Sequence, residues 1–255
     1  MCNKISWWVV SLILVMMLNS RPIVAQNSRS YHLAENNVVV RYFDPGQASE
    51  AQMVLENGAR AENELRKKYH FAAVLPVEIR LTRTTFEFCQ LTGRAWWQAS
   101  IYRHRVIYLQ PVRVLRERGI LATTVRHELM HHLIEESTKG HSPYWLQEAL
   151  AIYNSGEIAF LKPARRKTQS RELEWKTLEE HLSTSKNKTD TEWLYFQLYH
   201  LGQFFEKNFP LEQMQNLFAQ FVQQISFEQA CLNAFTITAA ELEQRWLTHW
   251  KSVAP

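Results

Sequence analysis

The 255-residue sequence predicts an α+β fold: a small N-terminal sheet with helices, followed by an all-helical C-terminal half. Three observations predict it. Short runs rich in Val, Ile, Tyr and Trp all end by Pro111. Beyond that proline the apolar residues recur at helical spacing. The chain is 46% hydrophobic and 21% charged, enough apolar surface to bury a core and an ordinary globular charge content.

The elements follow in order. Lys4 precedes a 14-residue run, Ile5 to Leu18, broken only by two serines. A membrane helix needs roughly 20 residues. The run therefore reads as the core of an export signal, residues 1–25, cut after Ala25, with Ile23 larger than the small residue usual there. The alternative is an uncleaved N-terminal anchor. No stable membrane span is expected once the signal is removed. The remaining domain is expected over 30–255, with an α+β half at 30–112 and a helical half at 113–255.

Within the first half, "NNVVVRYF" (36–43) reads as a strand and "DPG" (44–46) as a turn. Residues 47–69 carry helical spacing. "PVEIRLT" (76–82) alternates as a strand, and 84–91 reads as a short helix ending before Gly93. "AWWQASIY" and "RVIYLQP" flank the polar "RHR" at 103–105, so a hairpin is expected. In the second half, 114–136 reads as one long helix and 143–154 as another, with Pro143 suited to its first turn. Residues 160–188 are polar, with one short helix near 176–182. Helices follow over 189–209, with Asp190 or Thr191 as N-cap candidates, and over 211–224, 227–234 and 238–251.

Charge excludes some partners. The net charge is +4, and losing Lys4 and Arg21 with the signal brings it close to neutral. Arg165, Arg166 and Lys167 form a dense basic run without a basic stripe beside it, so no nucleic-acid partner is expected. Cys2 would leave with the signal. Cys89 and Cys231 could pair in an exported chain or remain two apolar thiols.

The chemistry concentrates in "RHELMHH" (126–132) and "SPYWLQEALAIY" (142–153). His127 and His131 are four apart, so one helix face presents both imidazoles to a single ion. Glu128 lies one step around the helix and can address water at that ion without ligating it. This is the mechanical content of H-E-x-x-H: two zinc ligands and a general base. A catalytic zinc takes a third protein ligand and leaves a place for water. Ile134 and Ser137 stand where a metzincin needs Gly and His, which excludes that class. Glu148 is the third-ligand candidate: it lies in an apolar segment, and a buried carboxylate needs a partner. His132 points off the ligand face, toward the surroundings of the site or the surface. His104, His141, His181 and His200 lack paired spacing and read as ordinary polar residues.

"HELMHH … YWLQEALA" resembles the gluzincin metallopeptidases, specifically the small bacterial peptidase-MA-like proteins, whose pattern is H-E-[LF]-x-H followed by W-L-x-E-[GA]-x-A. Trp145, Leu146, Glu148, Ala149 and Ala151 match, with Ala149 in place of the commoner Gly. The resemblance extends more weakly over most of 75–250 and implies a zincin-like fold. It implies that His127, His131 and Glu148 bind Zn2+ and that Glu128 is the general base. A Tyr of the Y-x-Q segment, here Tyr195 with Gln197, would donate a hydrogen bond to the oxyanion. Tyr199, one turn later, is the other candidate, and aromatic packing is the alternative for both. The implied activity is hydrolysis of a peptide or protein substrate by an exported zinc enzyme. The strand at 105–110, or its hairpin, could pair with an extended peptide. The competing expectation is a catalytically inactive zinc-binding scaffold, against which an intact Glu128 argues.

Overall fold

Five strands form one sheet in a computed structural model that describes residues 30–72, 74–160, 174–184 and 188–253. They are β1 (Tyr31–Glu35), β2 (Val38–Tyr42), β3 (Val77–Leu81), β4 (Ser100–Arg103) and β5 (Val106–Leu109). The spatial order is β1-β2-β3-β5-β4. β2, β3 and β5 run parallel, and the outer strands β1 and β4 are antiparallel to their neighbours. The alternation Val38, Val40, Val77, Ile79, Leu81, Ile107 and Leu109 points inward, and each of these side chains is buried. That period of two is what a half-covered sheet requires.

β1 is an addition to the expected elements. It pairs with β2 through a two-residue turn, Asn36 and Asn37, with Asn36 at φ 52°. Asn tolerates that left-handed backbone, so the pair is turn chemistry rather than the first residues of a strand. The expected hairpin at 103–105 is present: His104 and Arg105 both take positive φ between β4 and β5. The strand β4 starts at Ser100, because 95–98 close into a turn with Gln98 N–H donating to the Ala95 carbonyl at 3.0 Å.

Two helices lie in this half. α1 (Ala48–Tyr69) packs on the sheet, and α2 (Thr85–Thr92) ends at Gly93, as expected. A Cβ at Gly58 would stand 3.1 Å from Val38 and 3.3 Å from Ile79, so this glycine sets how closely α1 approaches. The single helix expected over 114–136 is two, α3 (Val112–Glu117) and α4 (Leu121–Thr138). Gly119 at φ 70° separates them. The Ile120 N–H returns to the Leu115 carbonyl, an ordinary glycine-terminated helix end.

α4 is the central element. It touches α1, α5 (Tyr144–Ser155) and β4, and its buried residues run around most of its circumference. Pro143 precedes α5 as its N-cap rather than lying in its first turn. The helices α6 (Trp175–Thr184), α7 (Lys188–Asn208), α8 (Leu211–Val222), α9 (Phe227–Phe235) and α10 (Ala239–Val253) complete the described residues. α7 begins before Asp190 and Thr191, so those residues lie in its first turn and do not cap it. Trp145 joins α5 to this layer, stacking on Trp175 at 4.6 Å and meeting Phe227 edge-on at 5.2 Å. α5 and α7 cross very closely, because a Cβ at Gly202 would meet the Ala149 carbonyl oxygen at 2.2 Å. The α+β first half and helical second half match the expected fold class. Cys89 and Cys231 are both free. No helix of the described residues is long and apolar enough to cross a membrane. The expected export signal and the run Arg165 to Lys167 lie outside the described residues.

Candidate metal centre

The two histidines of α4 and the glutamate of α5 meet in the interior. His127, His131 and Glu148 are each more than nine-tenths buried. The His127 and His131 Nε2 atoms are 3.0 Å apart. Glu148 Oε1 is 3.4 Å from His131 Nε2, and Oε2 is 3.6 Å from His127 Nε2. The same three residues offer one ligand atom each, all within 4.8 Å of one another. Four ligands arranged tetrahedrally at zinc bond lengths of 2.0–2.1 Å lie roughly 3.3 Å from each other. The observed spacings straddle that value. Glu148 Oε2 is buried without a hydrogen-bond partner. A buried acceptor left without a donor is costly, and a cation would satisfy it.

Charge in the centre also calls for a cation. Burial disfavours a charged His127, yet Glu157, Glu148 and Glu128 overcome that and push its pKa up to about 10. Burial likewise opposes ionisation of Glu148, but His131, His127 and the Tyr144 hydroxyl hold its pKa down to about 2. The carboxylates around His127 hold its imidazole in a field that favours positive charge.

The supporting residues come from two further segments and from α5 itself. Glu157 follows α5, where Gly156 at φ 82° ends the helix and turns the chain back. Its Oε2 is 3.3 Å from His127 Nδ1, in place to orient the ring from behind. Ser100, the first residue of β4, donates to Glu128 Oε1 at 2.5 Å. Tyr144, one turn before Glu148 on α5, stacks on the His131 ring at 6.1 Å, and its hydroxyl helps to hold the Glu148 carboxyl ionised. None of the three was marked by the motif spacing. The signals available were a glycine helix end before Glu157 and the i, i+4 relation of Tyr144 to Glu148.

α7 brings Tyr195 to the centre. Its ring stacks against His127 at 6.4 Å, with 13° between the planes. Burial first, then Glu148 and Glu157, push its hydroxyl pKa well up, so it remains a proton donor. Tyr199 packs one turn away, against Tyr153 and His200. A cleft of about 350 Å³ is lined by His127, Glu128, His131, Glu148, Tyr144 and Tyr195 among others. A second cavity of about 250 Å³ meets it at His127, Glu128 and Tyr195. β4 is the outer strand beside this cleft, whereas β5 lies between β3 and β4.

The remaining histidines lie elsewhere. His132 is fully buried rather than at the surface, with Nε2 3.0 Å from the Leu75 carbonyl and Nδ1 3.3 Å from the Tyr102 hydroxyl. His104 sits in the β4–β5 turn, and His141 and His181 are exposed. His200 packs among Phe196, Tyr199 and Trp250, where burial lowers its pKa to about 4.

A histidine pair and a carboxylate on two packed helices, beside the outer strand of a mixed sheet, define the gluzincin type of peptidase fold. Residues 108–252 match the family model of the peptidase MA superfamily, and the chain belongs to that superfamily. The superfamily is metal-dependent, and membership implies a peptide or protein substrate. Comparison with curated proteins found no match.

Proposed function

We propose that this chain is an exported zinc-dependent metallopeptidase. His127, His131 and Glu148 bind Zn2+, Glu128 is the general base, and Tyr195 stabilises the oxyanion. The observation that carries the reading is the convergence of the three buried ligand atoms at a cleft that Glu128 also faces. Two imidazoles and one carboxylate suit a borderline ion such as zinc, while calcium and magnesium favour sets of oxygen ligands. Residues 30–255 form the peptidase domain in this reading, with the α+β half at 30–112 and the helical half at 113–255. Residues 1–25 direct export.

Bound zinc supplies Lewis acidity, which brings the pKa of a coordinated water to about 7. Glu128 accepts the proton of the attacking water and passes it to the leaving amine. Ser100 fixes one carboxylate oxygen and leaves the other free for that transfer. The Tyr195 hydroxyl, kept protonated, donates to the oxygen of the attacked carbonyl as charge develops there. Glu157 orients His127, and Tyr144 orients Glu148. The outer strand β4 offers its backbone to an extended substrate. A scaffold that only stored metal would have no use for a serine-held glutamate in the cleft.

The test is metal removal. Chelator-stripped protein should cleave no peptide in a mixed library, and adding back one zinc per chain should restore cleavage. Glu148→Ala should need far more zinc for the same recovery. Undiminished cleavage by stripped protein would contradict the metal mechanism, and full zinc affinity in Glu148→Ala would move the third ligand elsewhere.

A further inference from the structure

Two arginines line the cleft without an ion pair among the described residues: Arg103, exposed at the end of β4, and Arg94, which is partly buried. Arg94 is half-buried and lines the cleft with His131, Tyr144 and Glu148. Its guanidinium is near enough to the Tyr144 hydroxyl to act on its charge. Among the described residues it has no ion pair and no side-chain hydrogen bond; only its backbone N–H is engaged, donating to Thr92 Oγ1. By contrast Arg41, Arg66, Arg80, Arg83, Arg105 and Arg126 each meet a glutamate. The acids of the cleft are committed to other groups: Glu128 to Ser100, Glu135 to Tyr102, and Glu148 to the two histidines and Tyr144. A partly desolvated guanidinium without a counter-charge is unusual, because Arg binds carboxylates well and loses hydration in a cleft.

The segment that carries Arg94 is held in place. Gly93 ends α2 in the left-handed region, and the buried Gln110 side chain donates to the carbonyls of Trp96 and Gln98 at 2.6 and 2.5 Å. Gln98 in turn accepts from the Ala95 N–H. The arginine therefore projects from a pinned loop and not from a loose one.

We propose that Arg94 recognises a carboxylate of the substrate, so that the peptides cleaved carry an acidic side chain or a free C-terminus beside the metal centre. This rests on the metallopeptidase reading. The guanidinium fork accepts either carboxylate source with the same pair of N–H donors.

The experiment uses alanine-based peptides with one Asp or Glu, or the matching Asn or Gln, at each position, each made with a free and an amidated C-terminus. Zinc-loaded protein should cleave carboxylate peptides about 10–100-fold faster, in kcat/KM, than their amide isosteres, the span of a charge-assisted hydrogen bond. Arg94→Gln should erase that ratio, and Arg94→Lys should restore part of it. Arg116→Gln, the same charge change at an exposed position on α3 outside the cleft, should alter it less than threefold. A preference that survives amidation assigns the acidic side chain, and one lost on amidation assigns the chain end. Equal cleavage of acids and amides by the wild type would overturn the inference while leaving the peptidase reading intact. Equal losses from Arg94→Gln and Arg116→Gln would also overturn it, by replacing a site with a diffuse field. If no peptide is cleaved, the peptidase reading fails, and calorimetric binding of the same peptides decides for Arg94: tighter binding of acids, abolished in Arg94→Gln, supports it, and equal binding overturns it.

Discussion

Tyr195 and Tyr199 are one helical turn apart, and their surroundings separate them. Tyr195 stacks on His127 and lines the cleft, whereas Tyr199 packs against Tyr153. In the proposed mechanism Tyr195→Phe removes one donor to the oxyanion, and loss of one such donor costs about 10²–10³-fold in kcat. Tyr199→Phe should change kcat little. Steady-state kinetics of the two variants check this, and a damaging Tyr199→Phe with an innocuous Tyr195→Phe would move the donor one turn along α7. The spacing of His127 and His131 was legible because a helix repeats every 3.6 residues. Glu148 was legible because a carboxylate in an apolar run needs a partner. Ser100 and Glu157 were not, since each reaches the centre from a different segment by tertiary packing. His132 shows the same limit: its place off the ligand face was readable, but its burial beneath Leu75 was not.

At the scale of elements, the centre depends on α4, α5 and α7 keeping their separations. Gly202 is the tightest point, because any Cβ there meets the backbone oxygen of Ala149, the residue next to Glu148. Overpacking of this kind costs about 1–3 kcal/mol or more, since helices must part to admit one methyl group. Gly202→Ala should therefore lower Tm by several degrees. It should also weaken zinc retention, by displacing α5 from α4. An unchanged Tm with unchanged zinc affinity would show that the crossing is slack. Helix and strand types were largely readable from periodicity. The errors lie at the joints: Asn36–Asn37 is a turn that admits β1, and Gly119 divides what the apolar spacing joins. Periodicity registers which face is buried; it does not register a single residue at positive φ.

Across the whole molecule, the division into a sheet-bearing half and a helical half was legible because the two periods do not mix along the chain. The order of strands was not, since pairing depends on which helix crosses the sheet. That order places β4 on the outside, beside the cleft, where the proposed extended substrate would pair. The proposed export signal is separable from this fold. Residues 1–30 fused to a reporter active only outside the cytoplasm should give signal, and recovered protein should lack its first 25 residues; a mature chain beginning at Met1 would replace the signal with an anchor. The central claim is that Glu128 moves protons and does not hold the metal. Glu128→Gln keeps the shape of the side chain and removes the base. General acid–base help is worth about 10²–10⁴-fold. The decisive measurement is hydrolysis of a peptide that the zinc-loaded wild type cleaves, with zinc content and Tm recorded on the same Glu128→Gln sample. A fall in rate of that order with one zinc per chain and an unchanged Tm is expected; full activity in Glu128→Gln would contradict the mechanism.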